Sequence, residues 1–238
     1  MRDDPPLPAS LPSDGVAVAR ALLGRRSVRG FLPDPVPREV LEGLLYLASR
    51  APSGTNVQPW KVYACAGAAR AALTAELRAL HDAGGGGHAE EYAYYPKTWR
   101  EPWLGRRRKL GWDYYAAVGV TRDDRAGMHR QHGRNFEFFG APVGLFFTLD
   151  RDLEIGSWLD AGMFIQSVMI AARAYGLDTC PQAAFTKYHA VVRRHLGIPA
   201  SEIVLCGMAL GRIDPAAPEN RLATEREPVG EFAQFRGF

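Results

Sequence analysis

Arg25, Ser27 and Arg29, in the run Arg25-Arg26-Ser27-Val28-Arg29-Gly30-Phe31, bring two guanidinium forks and a hydroxyl into a short stretch. In an extended segment alternate side chains share a side, so the three converge as donors for a phosphate or another anionic oxygen. Alone, the run fits a solvated basic edge equally well, the ordinary fate of surface charge. A second group, Ala51-Pro52-Ser53-Gly54-Thr55-Asn56-Val57-Gln58-Pro59-Trp60, supplies proline, glycine, hydroxyl and amide groups at a turn. Such a turn can hydrogen-bond the edge of a heteroaromatic ring, or it can be a plain loop leading to a core Trp60.

Other reactive residue types are less organised. Of the six histidines only His129 and His132 are suggestively spaced, and no nearby carboxylate or cysteine completes a ligand set, so no metal site is expected. Cys65, Cys180 and Cys206 are odd in number and lack CxxC spacing, which points to a reducing compartment, the cytoplasm. Asp178 follows a helix end, where a capping or turn role is expected. The cluster Arg106-Arg107-Arg108-Lys109 reads as a solvated helix face, because a net charge of only +3 argues against a nucleic-acid partner. No signal-peptide stretch opens the chain at Met1, and no uninterrupted apolar run reaches membrane-spanning length.

The elements that must position these residues follow from periodicity. The 238 residues, 47% of them hydrophobic, are expected to form one domain over 1–238. Residues 15–24 form a helix capped by Ser13 or Asp14, and residues 38–50 form an amphipathic helix after Pro37. Residues 60–65 read as a strand and 68–81 as a helix. A polar, aromatic stretch at about 84–133 reads as an insertion of helical pieces, and 141–149 as a buried strand. Residues 160–175 are apolar nearly all round, predicting a buried helix suited to a dimer interface, and 203–210 give a last strand. Strands and helices without regular βαβ alternation imply an α+β fold.

The order and spacing of RRSVRGF, one helix, then APSGTNVQPWKVY resemble the N-terminal signature of the nitroreductase family of FMN enzymes. The apolar helix and the turn Gly176-Leu177-Asp178-Thr179-Cys180-Pro181-Gln182 extend the resemblance over most of the chain. It implies a nitroreductase-like fold, a central mainly antiparallel sheet flanked by helices, with the long buried helix at a homodimer interface. Arg25, Arg26 and Ser27 would hold the FMN phosphate, and Arg29 would reach the pyrimidine edge of the flavin and favour its reduced form. Pro52, Ser53, Gly54 and Asn56 would approach from the second subunit. Pro181, Gln182 and Ala183 would lie near the reactive flavin nitrogen, and Asn135 at the flavin or substrate. Arg226 would add a further phosphate-binding cation, with Arg221 as the competing assignment.

What the resemblance implies for function is hydride transfer from NADH or NADPH through FMN to a nitroaromatic or quinone-like acceptor, by a ping-pong mechanism with no dedicated catalytic side chain. Two alternatives stay open: a reductive dehalogenase or other specialised flavin reaction, and a flavin-binding sensor or carrier without turnover. Tyr92, Tyr94, Tyr95, Trp99 and Trp103 resemble the family's variable lid, whose flat walls suit small aromatic substrates, although a small satellite core explains them as well.

Overall fold

The computed structural model describes residues 6–8, 11–13 and 15–238, so the expected cap at Asp14 and the start of the chain lie outside the described residues. Four strands, β1 (Lys61–Ala66), β2 (Val143–Asp150), β3 (Asp178–Gln182) and β4 (Glu202–Gly211), form one sheet in the order β1-β2-β4-β3. Every pairing is antiparallel. The expected antiparallel centre is therefore present, with one addition: residues 178–182, read from sequence as a turn, pair with β4 from Asp178↔Gly211 to Gln182↔Gly207. Pro181 donates no ladder bond, which an edge strand tolerates and which disguised the segment.

Both faces of the sheet are covered. Successive residues of β2 point oppositely, so Phe146 joins a core with Phe136, Phe138, Phe185 and Tyr188. Its neighbours Leu145 and Phe147 join the other core, with Leu44, Phe164, Val168 and Ala172. Glycine is required where rings lie on the strands: a Cβ on Gly207 would stand 2.4 Å from Phe185, and one on Gly144 would stand 2.3 Å from Phe138.

Helices α1 (Gly15–Gly24), α2 (Arg38–Ala48) and α3 (Gly67–Asp82) fall close to their expected bounds. The 84–133 stretch contains α4 (Trp103–Ala117) and α5 (Arg125–Gly133). Helix α6 (Ile155–Ala174) begins earlier than expected and is long and apolar enough to cross a membrane by length and composition. It carries Asp160 and Arg173, however, and buries Phe164, Val168 and Ala172 in the second core. The expectation that α6 is covered on most sides does not hold within one chain, because Ile155 and Leu159 are 84% and 70% exposed. Helix α7 (His189–Leu196), which the sequence reading missed, ends on Gly197 in the left-handed conformation. A short α8 (Val229–Phe232) lies in the tail.

Candidate functional site

The basic segment 25–31 leaves the end of α1 and runs extended along the sheet's edge strand. The Val28 amide donates to the Thr179 carbonyl at 3.0 Å, and Ser27 forms a parallel bridge with Thr179 of β3. Val28 is fully buried and Arg25, Ser27 and Arg29 are half-buried, but Arg26, on the Val28 side of the alternation, is half-buried too. The far end is fixed where the Phe31 amide donates to Phe139 O at 3.3 Å and Phe31 bridges Ile213.

Asn220 clamps this segment, and nothing in the sequence singled it out. It is buried, accepts the Arg29 amide at 2.9 Å, and donates to the carbonyls of Gly30 at 2.8 Å and Asp214 at 2.9 Å. Arg134 donates to the Arg29 carbonyl at 3.0 Å and pairs with Glu219. With its backbone held, Arg29 sets its guanidinium 5.5 Å from the Tyr114 ring centroid on α4, a cation–π contact. Arg26 turns elsewhere: its guanidinium lies 3.4 Å from the Asn220 carbonyl, and its charge acts on buried Asp178.

Arg25 faces a second cation. Burial lowers its pKa, and the Arg226 guanidinium lowers it further, so two like charges meet at this edge. Of the two competing tail residues, Arg226 and not Arg221 is the one that acts on Arg25. Arg226 is oriented by Thr224 Oγ1 at 2.8 Å and the Glu225 carbonyl at 2.8 Å. Its neighbours Glu225 and Glu227 are drawn away to Lys109 at 3.6 Å and Arg106 at 2.8 Å on α4. The basic cluster of α4, expected to be only a solvated face, thus docks the tail. Among the described residues no carboxylate forms an ion pair with Arg25, Arg26, Arg29 or Arg226. Arg25, partly desolvated and without a carboxylate partner, together with exposed Arg226, suits an anionic oxygen ligand.

Loop 52–56 is shaped independently. The Gly54 amide donates to both carboxylate oxygens of Asp160 at 3.3 Å, and the Gln58 amide donates to Ser53 Oγ at 3.0 Å. Thr55, Asn56 and Gln58 have φ of 49°, 61° and 50°, on either side of a right-handed Val57, a conformation uncommon for residues other than glycine. Pro52, Gly54 and Asn56 remain exposed. Within one chain this loop does not meet the basic segment. It is tied to α6 at Asp160, whereas Arg173, paired with Asp178 near Arg26, lies about 20 Å further along the helix at ~1.5 Å per residue.

At the end of β3, Pro181 is exposed, Ala183 half-buried and Gln182 buried. Gln182 Nε2 donates to the carbonyl of Asn135 at 2.8 Å, and Asn135 Nδ2 donates to the His132 carbonyl at 2.9 Å. Asn135, expected at a ligand, therefore has its amide committed to neighbouring groups. Gln182 Oε1 is buried with no partner among the described residues, an acceptor left open beside the exposed Pro181. Asp178 begins β3 and is buried against Arg173 of α6. Burial raises its pKa, against the opposing pull of Arg173 and Arg26.

The aromatic stretch packs mostly on itself. Tyr92 stands edge-on to Trp158 at 4.8 Å and donates to the Leu205 carbonyl, Tyr94 lies 4.7 Å from Tyr95, and Arg107 covers Trp99 at 5.2 Å. Glu91 anchors it through Arg151 and Arg193. The aromatic side chain of this stretch that reaches the basic segment is Tyr114, outside the group singled out from sequence. The expectation that no carboxylate attends the histidines also fails, because folding brings His81 and Asp82 of α3 to His129.

The family model described as the nitroreductase family matches residues 22–212. A 4-nitrobenzoate reductase from Pseudomonas putida is 39% identical over 214 residues, spanning 90% of this chain and 93% of that protein. The solved structure of an FMN- and NADPH-dependent nitroreductase from Sphigopyxis sp. strain HMH has a TM-score of 0.87 at 38% identity, covering 95% of this chain and 100% of the other. A second, an FMN-dependent nitroreductase from Mycobacterium smegmatis in complex with NADPH, has a TM-score of 0.89 at 31% identity, covering 94% and 100%.

Proposed function

This chain belongs to the nitroreductase family, and from that membership we propose that it is an oxidoreductase that binds FMN and uses NAD(P)H to reduce nitroaromatic compounds such as nitrobenzoates. The α+β fold with its antiparallel centre is the nitroreductase-like fold. The observation that carries the cofactor reading is the unopposed pair Arg25 and Arg226, which fits a phosphate dianion. FMN, when bound, accepts hydride from the nicotinamide and passes electrons to the acceptor. NADPH is favoured as donor, since one solved relative is NADPH-dependent and the other is in complex with NADPH.

The chain's own residues bind and orient. Arg25, Ser27 and Arg226 hold the phosphate, with Arg26 steering the segment through Asn220 and Asp178. Arg29, braced by Asn220 and Tyr114, presents a fixed positive charge to the ring edge where negative charge grows on reduction. Pro181 and Ala183, at the end of β3, would lie along the bound ring, with buried Gln182 behind them and its Oε1 without a partner among the described residues. Asn135 acts indirectly, by holding Gln182.

Pro52, Ser53, Gly54 and Asn56 complete the site from a second subunit, a reading supported by their separation from the basic segment within one chain. A homodimer also accounts for Ile155 and Leu159 standing exposed on α6. We read residues 1–238 as one domain with 84–133 as its lid, and the three free buried cysteines support a cytoplasmic location.

Steady-state rates with NADPH against nitrobenzoates, quinones and halophenols test this proposal. The expected result is fastest turnover on nitrobenzoates, with parallel double-reciprocal lines marking a ping-pong order. Halide release without nitro reduction would replace it with the dehalogenase reading.

A further inference from the structure

Away from the basic segment, α3 and α5 bring three imidazoles and a carboxylate together. His81 and His129 stack with centroids 4.1 Å apart, and His132 lies 5.2 Å from His81. His129 Nε2 stands 3.2 Å from Asp82 Oδ1. One ligand atom each from His81, Asp82 and His129 falls within 4.8 Å of the others. A cavity of about 310 Å³ opens over the cluster, lined also by His132, Glu90 and Lys187.

We propose that His81, Asp82 and His129 form a surface site for a borderline divalent transition metal, of the Zn²⁺, Ni²⁺ or Cu²⁺ class. Imidazole and carboxylate donors suit these ions. Two ligand atoms on a tetrahedral zinc stand roughly 3.3 Å apart for bonds near 2.05 Å, and the His129 to Asp82 separation of 3.2 Å already meets that spacing. The ion replaces the proton shared between them. His81, whose Nε2 lies 3.0 Å from the His129 carbonyl and whose ring stacks on His129, leaves that bond and turns out of the stack to add the third ligand, and water completes the shell. Arg78 donates to Asp82 at 3.0 Å and to Glu137 at 2.9 Å, so it orients the carboxylate as an outer partner. Lys187, over the Tyr188 ring, also lines the cavity.

Calorimetric titration of the untagged full chain with ZnCl₂ tests the site. The expected result is saturable uptake of one ion per chain, with His129→Gln and Asp82→Asn each weakening affinity at least roughly tenfold, the lower bound seen even for outer-shell partners. His195→Gln, which alters a surface His–Glu pair with Glu76 elsewhere, leaves uptake unchanged. His129 and Asp82 are 44% and 48% exposed, so their variants fold. No saturable uptake, or equal uptake by the wild type and both site variants, overturns the proposal.

Discussion

Arg226 comes to Arg25 from the opposite end of the chain, and its charge adds to burial in lowering the pKa of Arg25. Neither guanidinium meets a carboxylate among the described residues. The contact is held by the tail, whose flanking Glu225 and Glu227 are fastened to α4. Two cations brought near one another with no carboxylate partner are suited to an anionic oxygen ligand, whose binding would stabilise the fold.

Arg226→Gln therefore separates binding from folding. Losing one charge-assisted hydrogen bond of about 1.5–3 kcal/mol should weaken FMN affinity by roughly 10- to 100-fold. The flavin-free variant should melt close to the wild type, because Arg226 is exposed and forms no ion pair among the described residues. Fluorescence titration and thermal melts of the same preparation read both effects. Arg221→Gln is the control and should leave affinity within about threefold, as for an exposed charge.

Mixed dimers examine the division of the site. A chain carrying Arg25→Ala is paired with one carrying Asn56→Ala, under distinct purification tags. If the basic segment of one subunit works with loop 52–56 of the other, the mixed dimer contains one intact site and one doubly defective site. FMN uptake should then reach half the wild-type level, while each homodimer variant falls well below it. Uptake no better than that of the homodimer variants would assign both segments to a single chain.

Glu202 offers a pH-dependent prediction. It is buried, and although burial opposes its ionisation, hydrogen bonds from Lys61, Thr148 and Tyr63 prevail and hold its carboxyl below the usual range. A depressed carboxyl stabilises the fold fully above its unfolded pKa, near 4.3, and that contribution is lost as pH falls through the folded value. Glu202→Gln should lower stability at neutral pH by about 1–3 kcal/mol. Its melting temperature should converge on that of the wild type as the pH is taken below about 4.

The cysteines should be unreactive in the native protein. Burial pushes the Cys65 and Cys180 thiols up to about 11 and Cys206 to about 12, so little thiolate exists at pH 8. An aromatic disulfide reagent should label none of them in native protein and all three once it is unfolded.

Local patterns were the most legible part of the chain. The spacing of Val40, Leu41, Leu44 and Leu45 marked α2, and the run 141–149 marked β2, because each element's periodicity is written in adjacent residues. The segment 25–31 and the loop 52–56 were identified by residue type and order. What escaped depended on distant partners. Strand β3 was hidden by Pro181 and is defined only by its pairing with β4. Asn220 acts through hydrogen bonds to residues near the other end of the chain, and Asp82 meets His129 only after α3 packs beside α5. Asn135 was assigned to the ligand by its position in the sequence, yet its amide is occupied by Gln182 and the His132 carbonyl.

The most direct test of the central claim is an anaerobic double-mixing experiment on the purified, FMN-loaded chain. NADPH should bleach the visible flavin band in a first mix, and 4-nitrobenzoate should restore it in a second, with the nitro group reduced in step. A protein that takes up no FMN, or a bound flavin that NADPH never bleaches, would contradict the account.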